Sequence, residues 1–120
     1  MPGMAEPPDG REVASQVAAS IQGGEWQAAM ARVTEACRRS PDDPVLRAIE
    51  GRVHEVAGEL ERAVAAYRAA LYLEPALCEV RFLMAECLYR LGRRGRAGRE
   101  LRAVLAALAA RTCFSSPAMD

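Results

Sequence analysis

Lysine and asparagine are absent from this 120-residue chain, so all sixteen of its positive charges are arginine. Aromatic residues make up only 5%, and histidine occurs once, as His54. Few strand-favouring aromatics beside abundant Ala, Leu, Arg and Glu favour helices, which argues against a nucleotide-binding α/β fold or a β-sandwich. Sixteen acidic residues balance the arginines to a formal net charge of zero. No global field therefore draws nucleic acid or anionic lipid to the protein. The longest uninterrupted apolar run is Ala103 to Ala110, eight residues, whereas a membrane helix needs about 20. The opening stretch, Met1 to Gly10, has neither a basic region nor an apolar core, so it does not read as a secretory signal. No C-x-x-C pair occurs among Cys37, Cys78, Cys87 and Cys113. With one histidine, zinc binding is not expected, and the cysteines read as free thiols of a cytoplasmic protein.

What is present is a repeat. Gly24, Gly58 and Gly92 are 34 residues apart, and so are Ala29, Ala63 and Ala97. Pro41 and Pro75 keep the interval, as do Ala36, Ala70 and, in the third slot, Val104. A fixed period of this length marks a stack of supersecondary units. The register divides the chain into repeats 10–43, 44–77 and 78–111, with 1–9 as a disordered segment or cloning remnant and 112–120 as a tail.

Each repeat reads as two helices. In the second, Asp42 or Asp43 is placed to cap a helix that starts at Pro44. Val45, Ile49, Val53 and Val56 then supply one apolar face. Gly58 breaks the chain by taking the left-handed conformation. A second helix carries Leu60, Val64, Tyr67 and Leu71 until Pro75 stops it. The third repeat copies this, with helices over Val80 to Leu91 and Arg96 to Ala110. The first repeat is weaker, with Val13, Val17 and Ile21 before its turn and Trp26, Met30 and Val33 after it. Gly51 inside a helix costs about 1 kcal/mol in propensity, which points to a close helix approach. The expected architecture is an all-α solenoid of three helix-turn-helix repeats and about six helices.

Period and columns together resemble the tetratricopeptide repeat. The second repeat carries the likeness best, through Gly51, His54 in a Tyr column, Ala63, Tyr67, Ala70 and Pro75. Arg47 and Arg81 depart from it where the family has Trp, and so does Glu50 where it has Leu. A narrower resemblance covers residues 69–94, above all Leu71-Tyr72-Leu73-Glu74-Pro75 and Leu91-Gly92-Arg93. This stretch is similar to the repeats that follow the catalytic domain of some CheR-type chemotaxis receptor methyltransferases. Those enzymes use S-adenosylmethionine on receptor glutamates. The resemblance implies a non-catalytic accessory module, without a cofactor of its own, that positions such an enzyme on a chemoreceptor's cytoplasmic region. A free-standing adaptor or assembly factor and a self-associating scaffold are the alternatives.

The family's groove-facing positions, carried over by register, fall on Arg11, Ala14, Ala18, Ile21 and Gln22 in the first repeat. In the second they are Val45, Ala48, Arg52, Glu55 and Val56, and in the third Glu79, Phe82, Glu86, Tyr89 and Arg90. These are the candidate contacts for a protein or peptide partner. The carboxylate clamp of chaperone-binding repeats is ruled out, because its positions carry Ala14, Ala18, Ile49, Glu79 and Leu83. No nucleophile–base arrangement supports catalysis, since His54 lies in a packing column and Cys37 and Cys87 lie on apolar stripes. Charge is uneven despite its zero sum. Asp42 to Glu86 holds nine acidic residues against five Arg, whereas Arg90 to Arg111 holds seven Arg against Glu100 alone. This basic end suits an acidic partner segment or nucleic acid, with a solvated turn and polar helix face as the alternative, and sparse aromatics make it a poor binder of single-stranded nucleic acid. The last helix shows Leu101, Val104, Leu105 and Leu108 with no seventh helix to cover them, so self-association through this end is expected, with fold-back of Phe114, or cover by another domain or partner, as the rivals.

Overall fold

The computed structural model describes residues 9–111. The expectations for 1–8 and for the tail, with Cys113 and Phe114, fall outside that range. Six helices follow one another: α1 (Gly10–Gln22), α2 (Trp26–Arg39), α3 (Pro44–Val56), α4 (Leu60–Leu73), α5 (Cys78–Arg90) and α6 (Arg94–Ala109). They stack as three hairpins into an array of 48 × 29 × 20 Å. No strand occurs among the described residues. The tetratricopeptide-like fold that the resemblance implies is the fold observed.

Local chemistry sets the ends of the helices. Asp43 caps α3, its carboxylate accepting from the backbone N–H of Val45 at 2.9 Å and of Leu46 at 3.4 Å. Asp9 caps α1 in the same way, accepting from the Arg11 N–H at 3.0 Å. It thus joins the first helix instead of the leading segment to which the sequence assigned it. Inside each hairpin the turn is made by Gly24, Gly58 or Gly92 at φ 77°, 82° and 83°, a backbone conformation that side chains resist. α6 begins two residues earlier than expected, at Arg94.

Burial follows the repeated columns. Ala29 and Ala63 are fully buried and Ala97 nearly so, where paired helices cross too closely for a larger side chain. Val13, Val17, Val33, Cys37, Leu46, Ile49 and Val53 pack as one cluster through α1 to α3. Ala48, Val64, Tyr67, Leu71, Val80, Met84 and Leu88 pack as another through α3 to α6. Cys37 and Cys87 are free and buried. Cys78 is disulfide-bonded, which corrects the expectation of four free thiols. The cysteine spacing carries no local signature of such a pair.

The tightest point is Gly51. A Cβ there would stand 2.5 Å from two ring carbons of Tyr67, and Tyr67 is fully buried. Gly51→Ala therefore sets a gain of about 1 kcal/mol in helix propensity against overpacking worth about 1–3 kcal/mol. The ring has no room to retreat, so the clash wins. The variant is expected to melt below the wild type, whereas Gly95→Ala, where nothing lies within 4 Å of the added carbon, should melt at or above it. Thermal denaturation followed by circular dichroism checks the pair.

Candidate groove on the first-helix face

The first helices of the three repeats share one side of the array. α1 packs against α3, and Arg90 of α5 reaches Glu55 of α3 at 3.8 Å. Between α1 and α3 lies a hollow of about 280 Å³, lined by Ala14, Val17, Ala18, Ile21, Gln22, Ile49, Arg52 and Val56. Small side chains on α1 make the room. Val17 and Ile49, each 3% exposed, belong to the core and floor the hollow, while Val56, 49% exposed, stands at its edge. Arg52 supplies a cation beside an otherwise aliphatic wall.

The candidate residues separate into groups. Ile21, Arg52 and Val56 meet in the hollow together with Ala14, Ala18 and Gln22. Phe82, Glu86, Tyr89 and Arg90 are exposed further along, on α5. Glu79 is half-buried at the start of the same helix. Arg11 is exposed at the far end, and Val45 beside it packs under α1, its Cγ1 lying 2.8 Å from where a Cβ on Gly10 would sit. Ala48, carried over as a groove position, is fully buried among Ala63 and Tyr67. The close α3–α4 crossing covers it, so it shapes the helix pair and offers no contact surface.

Glu55 is turned inward. Its Oε1 accepts from the Tyr67 hydroxyl at 2.7 Å and from Arg52 at 3.4 Å. Arg90 pairs with its other oxygen, and only 12% of the side chain is exposed. Burial, reinforced by this carboxylate, pushes the Tyr67 hydroxyl pKa well up. Burial likewise pushes the Cys87 thiol up to about 11, again with Glu55 adding to it. Burial takes Cys37 up to about 11 as well, so both thiols are poor nucleophiles at neutral pH. Beyond the groove, Arg94 lies over the Tyr89 ring at 5.2 Å, holding the aromatic at the edge of the face. Val17 was missed as a groove residue, Ile49 was read as a core and clamp position but not as the floor of the hollow, and the contact of Arg94 with Tyr89 was not foreseen. Val17 stands out in the sequence only as a core position, and a cation–π pair between successive helices has no periodic signature.

No group of His, Cys, Asp and Glu among the described residues is placed to hold a metal ion. No helix among them is long and apolar enough to cross a membrane.

No protein-family profile matches the sequence, and no curated protein does. Solved structures do match. The Yersinia enterocolitica type III secretion chaperone SycD, in complex with a peptide of the translocator YopD, superposes with a TM-score of 0.71 at 18% identity, over 84% of either chain. The second tetratricopeptide-repeat domain of Spaghetti (RPAP3), bound to an HSP90 peptide, gives 0.73 at 14% identity, over 81% of this chain and 90% of that one. The Sgt2 repeat domain from Aspergillus fumigatus gives 0.77 at 18% identity, over 97% of this chain and 75% of that one. At these identities the likeness is one of fold.

Glu55 generates a test of the groove's framework. Glu55→Ala leaves the buried Tyr67 hydroxyl without its acceptor, which is expected to cost about 1–3 kcal/mol. Tyr67→Phe removes the hydroxyl itself, so adding Glu55→Ala to it should cost less than Glu55→Ala alone. Urea denaturation of the single and double variants measures the coupling.

Proposed function

We propose that this chain is a protein-interaction module that takes a segment of a partner protein along its first-helix face. The hollow between α1 and α3 carries the reading. It has the size and aliphatic lining to receive one bulky apolar side chain, with Arg52 beside it to orient a polar or acidic neighbour. Phe82 and Tyr89 extend the surface along α5 for further contacts. Two proteins of similar fold are known with peptides bound, SycD with a YopD peptide and RPAP3 with an HSP90 peptide, which supports the same use here. The absence of a carboxylate clamp in the sequence favours an internal partner segment over a chain terminus.

A peptide array built from candidate partners supplies ligands for the test. Ile21→Glu with Val56→Glu puts two charges at the hollow's mouth and should weaken capture by about 2 kcal/mol or more, as loss of a central anchor does. Phe82→Ala with Tyr89→Ala should weaken it too. Both aromatics are exposed, so the fold is expected to survive this change better than it survives Ala63→Leu, which overpacks the α3–α4 crossing. Undiminished binding by both double variants rules the face out.

A narrower reading rests on residues 69–94 alone: the groove serves a CheR-like receptor methyltransferase by placing it on a chemoreceptor's cytoplasmic region. The parent reading frame decides between this and a free-standing cytoplasmic adaptor. An upstream methyltransferase region supports the first, and its absence supports the second. In either case the chain itself is expected to give no saturable heat on titration with S-adenosylmethionine, and micromolar binding would overturn its assignment as a binding module.

A further inference from the structure

The outer face of α6 is a half-built helix seat. Val33, Tyr67 and Leu101 share one column of the 34-residue register, and Cys37, Leu71 and Leu105 share another. In the first two repeats the following helix covers these columns. α3 brings Leu46, Ile49 and Val53 against Val33 and Cys37, and α5 brings Val80, Met84 and Leu88 to the cluster that holds Tyr67 and Leu71. Val33 and Tyr67 are consequently 0% exposed, but Leu101 is 39% exposed. Cys37 and Leu71 are 4% and 7% exposed, but Leu105 is 66%. Leu108 continues the stripe at 56%. Gly98 stands in the column of Met30 and Val64, and the Arg102 guanidinium lies 3.5 Å from where a Cβ on it would sit.

The border of this seat is cationic. Arg102, three residues before Leu105, flanks the stripe at helical spacing, and Arg94, two turns before Leu101 and stacked on the Tyr89 ring, stands at its N-terminal end. Arg102 is exposed and has no ion-pair partner among the described residues; Arg99, equally exposed and unpaired, follows further round the helix. The one carboxylate of the helix, Glu100, is already held by Arg81 at 2.7 Å.

We propose that α6 docks an amphipathic helix of a partner protein whose apolar stripe is bordered by carboxylates. Such a helix occupies on α6 the place that α5 occupies on α4, and its acids meet Arg102 on the flank and Arg94 at the N-terminal end of the stripe. A second copy fits less well, because a two-fold contact of α6 with itself brings arginines together with Glu100 already engaged. Residues 112–120 offer Phe114 and Met119 as large apolar side chains, too few to replace a helix. The seat is separate from the α1–α3 hollow, so its test is independent of the groove.

The experiment uses the full chain and two synthetic helical peptides as long as α5, with one leucine stripe flanked by Glu in the first and by Lys in the second. Fluorescence anisotropy should show saturable uptake of the Glu peptide, weakening as salt is raised, and none of the Lys peptide. Leu101→Glu with Leu105→Glu, both at exposed positions, should weaken uptake about thirtyfold, and Arg102→Glu about tenfold. Ile21→Glu with Val56→Glu, in the groove, should leave uptake unchanged. Equal binding of the two peptides, or retained binding by the double leucine variant, overturns the proposal. So does a concentration-dependent dimer in sedimentation that excludes the peptide and is lost in that variant, which assigns the seat to a second copy. Uptake that appears only after removal of 112–120 overturns it in favour of the tail.

Discussion

The approach of the Tyr67 ring to the bare backbone of Gly51 is the contact on which the rest of the molecule turns. It closes the α3–α4 crossing, and that crossing sets the spacing of the middle repeat against both neighbours. The ring is buried through its whole length, so its hydroxyl must find an acceptor inside the protein. Glu55 supplies the acceptor at 2.7 Å, and the same carboxylate collects Arg52 and Arg90 from the first-helix face. One aromatic side chain thereby connects the packing of the middle hairpin to the charge pattern of the groove. A buried carboxylate is costly unless it is fully engaged, and here its partners come from three helices.

The 34-residue register made the helices legible, because turn glycines and crossing alanines obey local rules that hold wherever the motif occurs. The groove was less legible. Register places Glu55 and Ala48 on the first-helix face, yet Glu55 turns in to satisfy Tyr67 and Ala48 disappears under α4. Both outcomes are set by a neighbouring helix, which a single-helix pattern does not contain. Val17 and Ile49 were readable as core but not as a floor, since a residue that packs on one side and lines a hollow on the other has the same apolar signature either way. The disulfide at Cys78 was illegible for a related reason, because its partner is chosen by three-dimensional approach.

Three columns that the repeat family fills with large apolar or aromatic residues hold Arg47, Glu50 and His54 here, and each finds polar company. Arg47 pairs with Glu50 at 3.4 Å, and the His54 Nδ1 lies 3.0 Å from a Glu59 oxygen. The substitution is therefore coordinated along one edge of α3. The array keeps its spacing without the usual aromatic wedge because the alanines of α4 stand opposite and ask for little volume. Partly exposed pairs of this kind add little stability, so cohesion falls on the two apolar clusters.

Those clusters are distributed unequally along the array. α4 buries six side chains, Ala63 to Leu71, whereas α1 buries only Val13 and Val17 and α6 only Ala97 and Val104. In a linear stack each hairpin is held by its neighbours alone, and opening free energy is lowest where buried contacts are fewest. Amide protons of α1 and α6 should thus exchange through fraying of the ends, long before those of α4. The hollow lies at the joint between α1 and α3, so a guest seated there also clasps the loosest helix of that end. Occupancy and local order at this joint are a single equilibrium, and part of any ligand's intrinsic affinity is spent on fastening α1.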